Sequence, residues 1–183
     1  DCAIVVSNSL DEYLIRDMLL QGACIDSFGV GERLITAKAE PVFGGVYKLV
    51  ATEDKEGNVV PRIKVSENIE KITNPGYKKL YRLYNKSSGV AFADVIALAD
   101  EPVPSGDNYE IVHPGSLKKY KKLRDFTAEE LHVPIFEKGK LVYSPPALKD
   151  VRAHCMHNIE NVWEEILRFE NPHTYYVDYS VKL

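Results

Sequence analysis

Residues 3–33 read AIVVSNSLDEYLIRDMLLQGACIDSFGVGER, and the order of side chains in this stretch decides the fold class. Ala3 to Val6 is a continuous apolar run of strand formers, the pattern of a parallel strand buried on both faces. Ser7-Asn8-Ser9 breaks the run. Ser9 and Glu12 fit a capping box, in which two side chains satisfy free amides at a helix start. Leu10, Tyr13, Leu14, Asp17, Met18 and Gln21 then recur at helical spacing, with Leu19 and Leu20 widening the apolar side. Gly22 is placed to stop the helix. Ile25 to Phe28 reads as a second short strand, followed directly by Gly29-Val30-Gly31-Glu32-Arg33. A strand–helix–strand unit implies parallel pairing and a right-handed crossover. The fold class is α/β at this end of the chain.

Working outward, the character changes after Pro41. Val46 to Thr52 and Val59 to Val65 read as a hairpin around the turn Lys55 to Asn58, with Pro61 marking an edge position. Tyr81 to Tyr84 and Val90 to Leu98 form another strand pair around Asn85 to Gly89, and Glu101 to Asn108 is a Pro/Gly-rich loop. Ile135 to Phe136 and Leu141 to Tyr143 suggest a small hairpin. Ala147 to Phe169 is expected to be one long amphipathic helix, with Val151, Cys155, Ile159, Val162, Ile166 and Phe169 along one stripe. Two domains are therefore expected, residues 1–42 with βα units and residues 43–183 with antiparallel strands and a closing helix. Gly44-Gly45 reads as the hinge between them.

Composition sets the outer limits. The 183 residues are 45% hydrophobic and 27% charged, which is a globular balance. A complete eight-fold βα barrel typically needs about 250 residues and does not fit. The chain opens at Asp1 without methionine and inside an expected strand, as a piece of a longer polypeptide would. The formal net charge of -4 argues against nucleic acid or an anionic membrane as partner. The basic run Lys118, Lys119, Lys121, Lys122 and Arg124 is read as a solvated face of a short helix or loop. Lys78, Lys79 and Arg82, near Tyr77 and Tyr81, are read as a solvated strand edge. No apolar run approaches the about 20 residues of a membrane span, and no signal peptide is visible. Cys2, Cys24 and Cys155 lack metal-site or disulfide spacing, which suggests a reducing compartment. His154 and His157 could share a helix face, but no acidic or thiol partner stands at ligand spacing, so no metal site is expected.

The chemistry sits at strand ends. In open α/β sheets and barrels, ligands bind at the carboxyl ends of the strands. Here those ends are Ser7-Asn8-Ser9 and Gly29-Val30-Gly31-Glu32-Arg33, on adjacent strands. Gly29 and Gly31 let the backbone approach an oxyanion, and Arg33 offers a planar fork of donors. A phosphate-binding corner is the functional reading. A plain tight turn has the same G-x-G pattern, so the residues leave both open. The dinucleotide fingerprint is not met, because Glu32, Arg33 and Leu34 follow Gly31 and the third glycine is missing.

The run from Ser7 to Val50, SNSLDEYLIRDMLLQGACIDSFGVGERLITAKAEPVFGGVYKLV, closely resembles the C-terminal half of the nicotinate phosphoribosyltransferase family. The resemblance continues through Lys64 to Asn85 and Ile166 to Ser180. It implies the last βα units of an irregular TIM-like α/β barrel, followed by an α+β sandwich-type domain with a long C-terminal helix. It implies a type II phosphoribosyltransferase that forms nicotinate mononucleotide from nicotinate and phosphoribosyl pyrophosphate, with ATP hydrolysis and Mg2+, in NAD salvage. A cytoplasmic homodimer is also implied. The positions carried over as ligands of the sugar phosphate are Ser7, Asn8, Gly29, Val30, Gly31 and Glu32, with Arg33 and Thr36 added. Glu32 is a departure, since relatives often carry Thr there; a carboxylate repels phosphate unless it turns away, binds Mg2+ or caps an amide.

None of His113, His132, His154, His157 or His173 falls in a motif of the family, so each is read as a surface or packing residue. No catalytic residue is assigned to this chain, which is expected to be inactive when isolated. Two other readings stand beside this one. The chain could be a non-catalytic assembly module, or part of a related type II transferase acting on nicotinamide or quinolinate.

Overall fold

The computed structural model describes residues 2–42, 44–68, 71–106, 108–115 and 120–183. It divides into two compact units, Asp1–Tyr47 and Lys48–Leu183.

In the first unit, β1 (Val5–Ser7) and β2 (Ser27–Gly29) pair in parallel around α1 (Glu12–Leu20), with Val5 opposite Ser27 and Ser7 opposite Gly29. Asp26 closes the other end, its carboxylate accepting the Ile4 N–H at 2.7 Å. The helix ends as expected at Gly22, whose φ of 82° suits a residue without Cβ. Its start differs from expectation. Asp11, not Ser9, is the N-cap, and its Oδ1 accepts the Leu14 N–H at 2.8 Å. Asn8 and Ser9 instead take left-handed backbone (φ 87° and 52°), which bends the loop before the helix can begin. The expectation of a strand buried on both faces also fails here. Ile4 is 51% and Val5 64% exposed, because two strands and one helix do not cover both faces of the pair. A four-residue helix, α2 (Glu32–Ile35), follows β2.

In the second unit, β3 (Ala51–Glu53) and β4 (Val59–Pro61) form the expected hairpin. Its turn is built by Asp54, whose Oδ1 accepts the N–H groups of Glu56 and Asn58. The main sheet comprises β5 (Lys78–Asn85), β6 (Ala91–Leu98), β7 (Tyr109–Val112), β8 (Tyr120–Leu123), β9 (Phe126–Glu130) and β12 (Val177–Ser180), in the order β8-β7-β12-β6-β5-β9. The last strand enters the middle, parallel to β6 and antiparallel to β7. A bridge between Gly106 and Phe126 curls the sheet toward a half-barrel. Inside it, Leu83, Val95, Ile111 and Phe126 are at most 1% exposed, joined by Tyr109 and Leu123. The Tyr109 hydroxyl has no partner among the described residues; burial, then the nearby Glu101 carboxylate, pushes it up to about 12. A short hairpin, β10 (Phe136–Glu137) with β11 (Lys140–Leu141), stands apart from the sheet.

Three expectations are corrected in this unit. The basic run is only partly loop where it is described: Lys121 and Lys122 lie on β8, while exposed Arg124 is in the turn that follows it; Lys118 and Lys119 fall outside the described residues. Arg82 is not at a strand edge, because β5 is flanked there by β6 and β9, whereas Lys78 and Lys79 pair with β6 alone, ahead of the β9 register. Lys79 pairs with Glu130 on β9 at 2.9 Å. The long helix is shorter: α3 runs Leu148–Glu160 and a 3-10 turn, Glu164–Leu167, follows separately. The sheet captures the chain between them. The Ala91 N–H donates to the Asn161 carbonyl at 2.6 Å, and Trp163 is extended.

A polar network ties this helix to the sheet. Arg82 grips Asp94 with two N–H donors at 2.9 and 3.1 Å and reaches Asn158 of α3 with a third. Tyr175 donates its hydroxyl to Asp94 at 2.8 Å and stacks on Trp163. The fork on Asp94 raises the Arg82 guanidinium further above its ordinary range, and burial of the Tyr175 ring raises its phenol.

Candidate functional site

The parallel register brings the two predicted loops side by side. Ser7 lies opposite Gly29, and a Cβ built on Gly29 would stand 3.1 Å from the Ser7 Cβ. Position 29 is therefore glycine because the neighbouring strand is close. At Gly31 the reason differs. A Cβ there meets nothing within 4 Å, and it would project into open space beside the loop.

Gly31 also lines a concavity of about 280 Å³, together with Asn8, Ser9, Leu10, Gly29, Glu32 and Arg33. Leu10 is 3% exposed and anchors the loop, so Asn8 and Ser9 are held in their turned conformation by packing behind them. Asp11 works on two elements at once. It caps α1 through the Leu14 amide and forms an ion pair with Arg33, contacts that lower its carboxyl below the usual range in that order. Arg33 is thereby positioned at the rim, with one nitrogen committed to Asp11. Glu32 begins α2, where a carboxylate suits the positive end of the helix, and its carboxylate has no partner among the described residues.

Of the eight predicted positions, Asn8, Gly29, Gly31, Glu32 and Arg33 line this concavity. Ser7 stands behind it as the strand partner of Gly29. Val30 lines a neighbouring, mostly apolar hollow of about 710 Å³ with Tyr13, Ile15 and Leu34. Thr36 lies a turn further on, where its hydroxyl donates to the Glu32 carbonyl at 2.7 Å. Ser9, placed with Ser7 and Asn8 at the strand end but not among the carried-over ligands, also lines the concavity, and Asp11 is a residue the sequence reading did not single out. An Asp directly before the Glu12-Tyr13-Leu14 helical run is the available signal for that cap.

The histidines lie elsewhere, in the second unit. His132 Nδ1 accepts the Leu80 N–H at 3.2 Å, and His113 faces Asp178 at 3.3 Å. His154 and His157 contact the amides of Asn158 and Asn161, one turn along α3. Among the described residues, no group of three or more His, Cys, Asp or Glu could hold a metal ion, and no helix is long and apolar enough to cross a membrane.

Residues 77–183 match the family model described as the nicotinate phosphoribosyltransferase C-terminal domain. The nicotinate phosphoribosyltransferase of Bacillus subtilis (strain 168) is 43% identical over 180 residues, covering 98% of this chain and 36% of the relative. The Dictyostelium discoideum protein of the same name is 37% identical over 189 residues, covering 99% of this chain and 31% of its own length. Among solved structures, human nicotinic acid phosphoribosyltransferase superposes with a TM-score of 0.72 at 28% identity, covering 99% of this chain and 31% of that one. The chain thus spans about a third of the length of these relatives.

Proposed function

The chain belongs to the nicotinate phosphoribosyltransferase family, and from that premise we propose that it supplies the ribose-phosphate corner of an enzyme forming nicotinate mononucleotide and pyrophosphate from nicotinate and phosphoribosyl pyrophosphate. The observation that carries the assignment is the pairing of Ser7 with Gly29, which sets two turned loops around one small polar concavity. The 5′-phosphate of the substrate sits against the Gly29–Gly31 backbone, with Asn8 and Ser9 opposite. Arg33, held by Asp11, faces the anion from the rim.

Transfer of the ribosyl group develops oxocarbenium-like charge on the sugar. Catalysis then depends on holding phosphate and pyrophosphate still while that charge forms, which is positioning and electrostatics rather than covalent chemistry by this chain. A corner built on strand ends and a packed Leu10 is suited to that task. Glu32 is the one carboxylate lining the concavity. Mg2+ commonly takes one or two protein carboxylates together with substrate phosphates, so Glu32 is the residue that would hold such an ion, which would neutralise phosphate charge.

The remaining parts of the proposal concern the whole enzyme: β1 and β2 as closing strands of a TIM-like barrel, ATP hydrolysis coupled to synthesis, a cytoplasmic homodimer, and an isolated chain without turnover. Choice of nicotinate over nicotinamide or quinolinate follows the family's name rather than any residue of this corner. The test is a chimera in which this chain replaces the matching carboxyl-terminal third of the Bacillus subtilis relative. Formation of nicotinate mononucleotide is expected. A folded chimera that binds nicotinate without making product would favour the assembly-module reading.

A further inference from the structure

The basic run contains an anomaly that the phosphate corner does not absorb. Lys121 pairs in register with Ile111, so both side chains leave the same face of the sheet, the face on which Ile111 and Leu123 are buried. Period-two alternation calls for an apolar residue at that position. Lys122, facing the other way, has Glu110 as its partner at 3.8 Å. Among the described residues no carboxylate pairs with Lys121; its ammonium lies 5.5 Å from the centre of the Phe92 ring. Phe92 itself is turned by the register shift opposite Leu83 and Tyr84, which breaks the alternation of β6.

Beside Lys121 the sheet holds a cavity of about 390 Å³, walled by Phe92, His113, Tyr120, Tyr176 and Asp178. Its size falls in the about 300–1,000 Å³ range of small-ligand pockets. The rings of Phe92 and Tyr176 offer flat surfaces for a planar base. Asp178 Oδ1 faces His113 Nδ1 at 3.3 Å, while its second oxygen has no partner among the described residues. His113 is set edge-on to Tyr176, with centroids 6.2 Å apart. A cation at one side, a free carboxylate oxygen within, and aromatic walls between them match one ligand class in three places.

We propose that this cavity binds a mononucleotide, with its base on the aromatic walls, its ribose diol donating to Asp178 and its phosphate on Lys121. Lysine suits the phosphate as a point charge free of bidentate geometry. The base gains stacking area that a lone anion does not. The inference rests on the second unit alone and stands or falls separately from the phosphate corner.

The test uses the full-length enzyme, isotope-labelled, titrated with adenosine 5′-monophosphate and followed by amide chemical shifts. Saturable shifts are expected at Ile111, His113, Lys121 and Asp178. Adenosine alone and inorganic phosphate alone should each bind more weakly. Lys121→Met keeps the alkyl stem and removes the charge, and it should weaken binding about tenfold or more. The side chain is exposed, so a well-dispersed spectrum of the variant verifies the fold independently. Absence of saturation, shifts confined to Asn8–Ser9 and Gly29–Arg33, or an affinity unchanged by Lys121→Met would each overturn the proposal.

Discussion

Gly29→Val in the full-length enzyme should lower turnover by about 10²-fold or more, and it should destabilise the strand pair at the same time. The reason is steric. Even one carbon at position 29 stands 3.1 Å from the Ser7 Cβ, tighter than ordinary van der Waals contact, and a branched side chain adds two more. Relief requires β1 and β2 to separate or slide at their carboxyl ends. Those ends carry both loops of the concavity, so the fault passes directly to Asn8, Gly31 and Arg33. A displacement on the order of 1 Å in a positioning site is enough for a loss of this size. Steady-state rates and melting temperature should fall together, and either one staying at the wild-type value would show that the strands do not approach as described.

The second large effect belongs to the sheet. Arg82→Ala should cost about 3–5 kcal/mol of unfolding free energy, because it leaves Asp94, with a side chain only 8% exposed, as a buried carboxylate without its cation. The loss exceeds that of a surface ion pair for the same reason. It also releases Asn158, and with it the tie between α3 and β5. Arg82→Lys keeps the charge but not the fork, and it should fall between wild type and Arg82→Ala. Trp163 is the single tryptophan and stacks on Tyr175, so its fluorescence reports the transition in urea. A cost below about 1 kcal/mol would mean that the pair is solvated like a surface contact.

These two sites differ in how far the sequence disclosed them. The βαβ unit is written locally: an apolar run, a helical repeat, a stopping glycine and a second run, each within reach of its own neighbours. Even there the cap was misplaced, since Ser9 and Asp11 both have the chemistry and only the left-handed turn at Asn8 and Ser9 decides between them. Arg82 and Asp94 are twelve positions apart, and nothing in either residue announces the other; the antiparallel register of β5 and β6 creates the pair. The strand β12 is four residues long and gains its place from β6 and β7, so its own pattern carries little signal. The stripe through Val162 and Ile166 favours a continuous helix, and that preference loses to the backbone bond between Ala91 and Asn161. Lys121 was hidden in a charge run whose solvated reading is sound for Lys122, which faces Glu110.

The claim that matters most is that Gly29, Gly31 and the Asn8–Ser9 turn hold the substrate's phosphate. Gly31→Ala in the full-length enzyme tests it with least disturbance, because the added methyl meets no atom of this chain within 4 Å beyond its two neighbours. The measurement is the KM for phosphoribosyl pyrophosphate beside that for nicotinate and the melting temperature. A rise of about tenfold or more is expected in the first, with the other two unchanged. A phosphoribosyl pyrophosphate KM equal to wild type would contradict it.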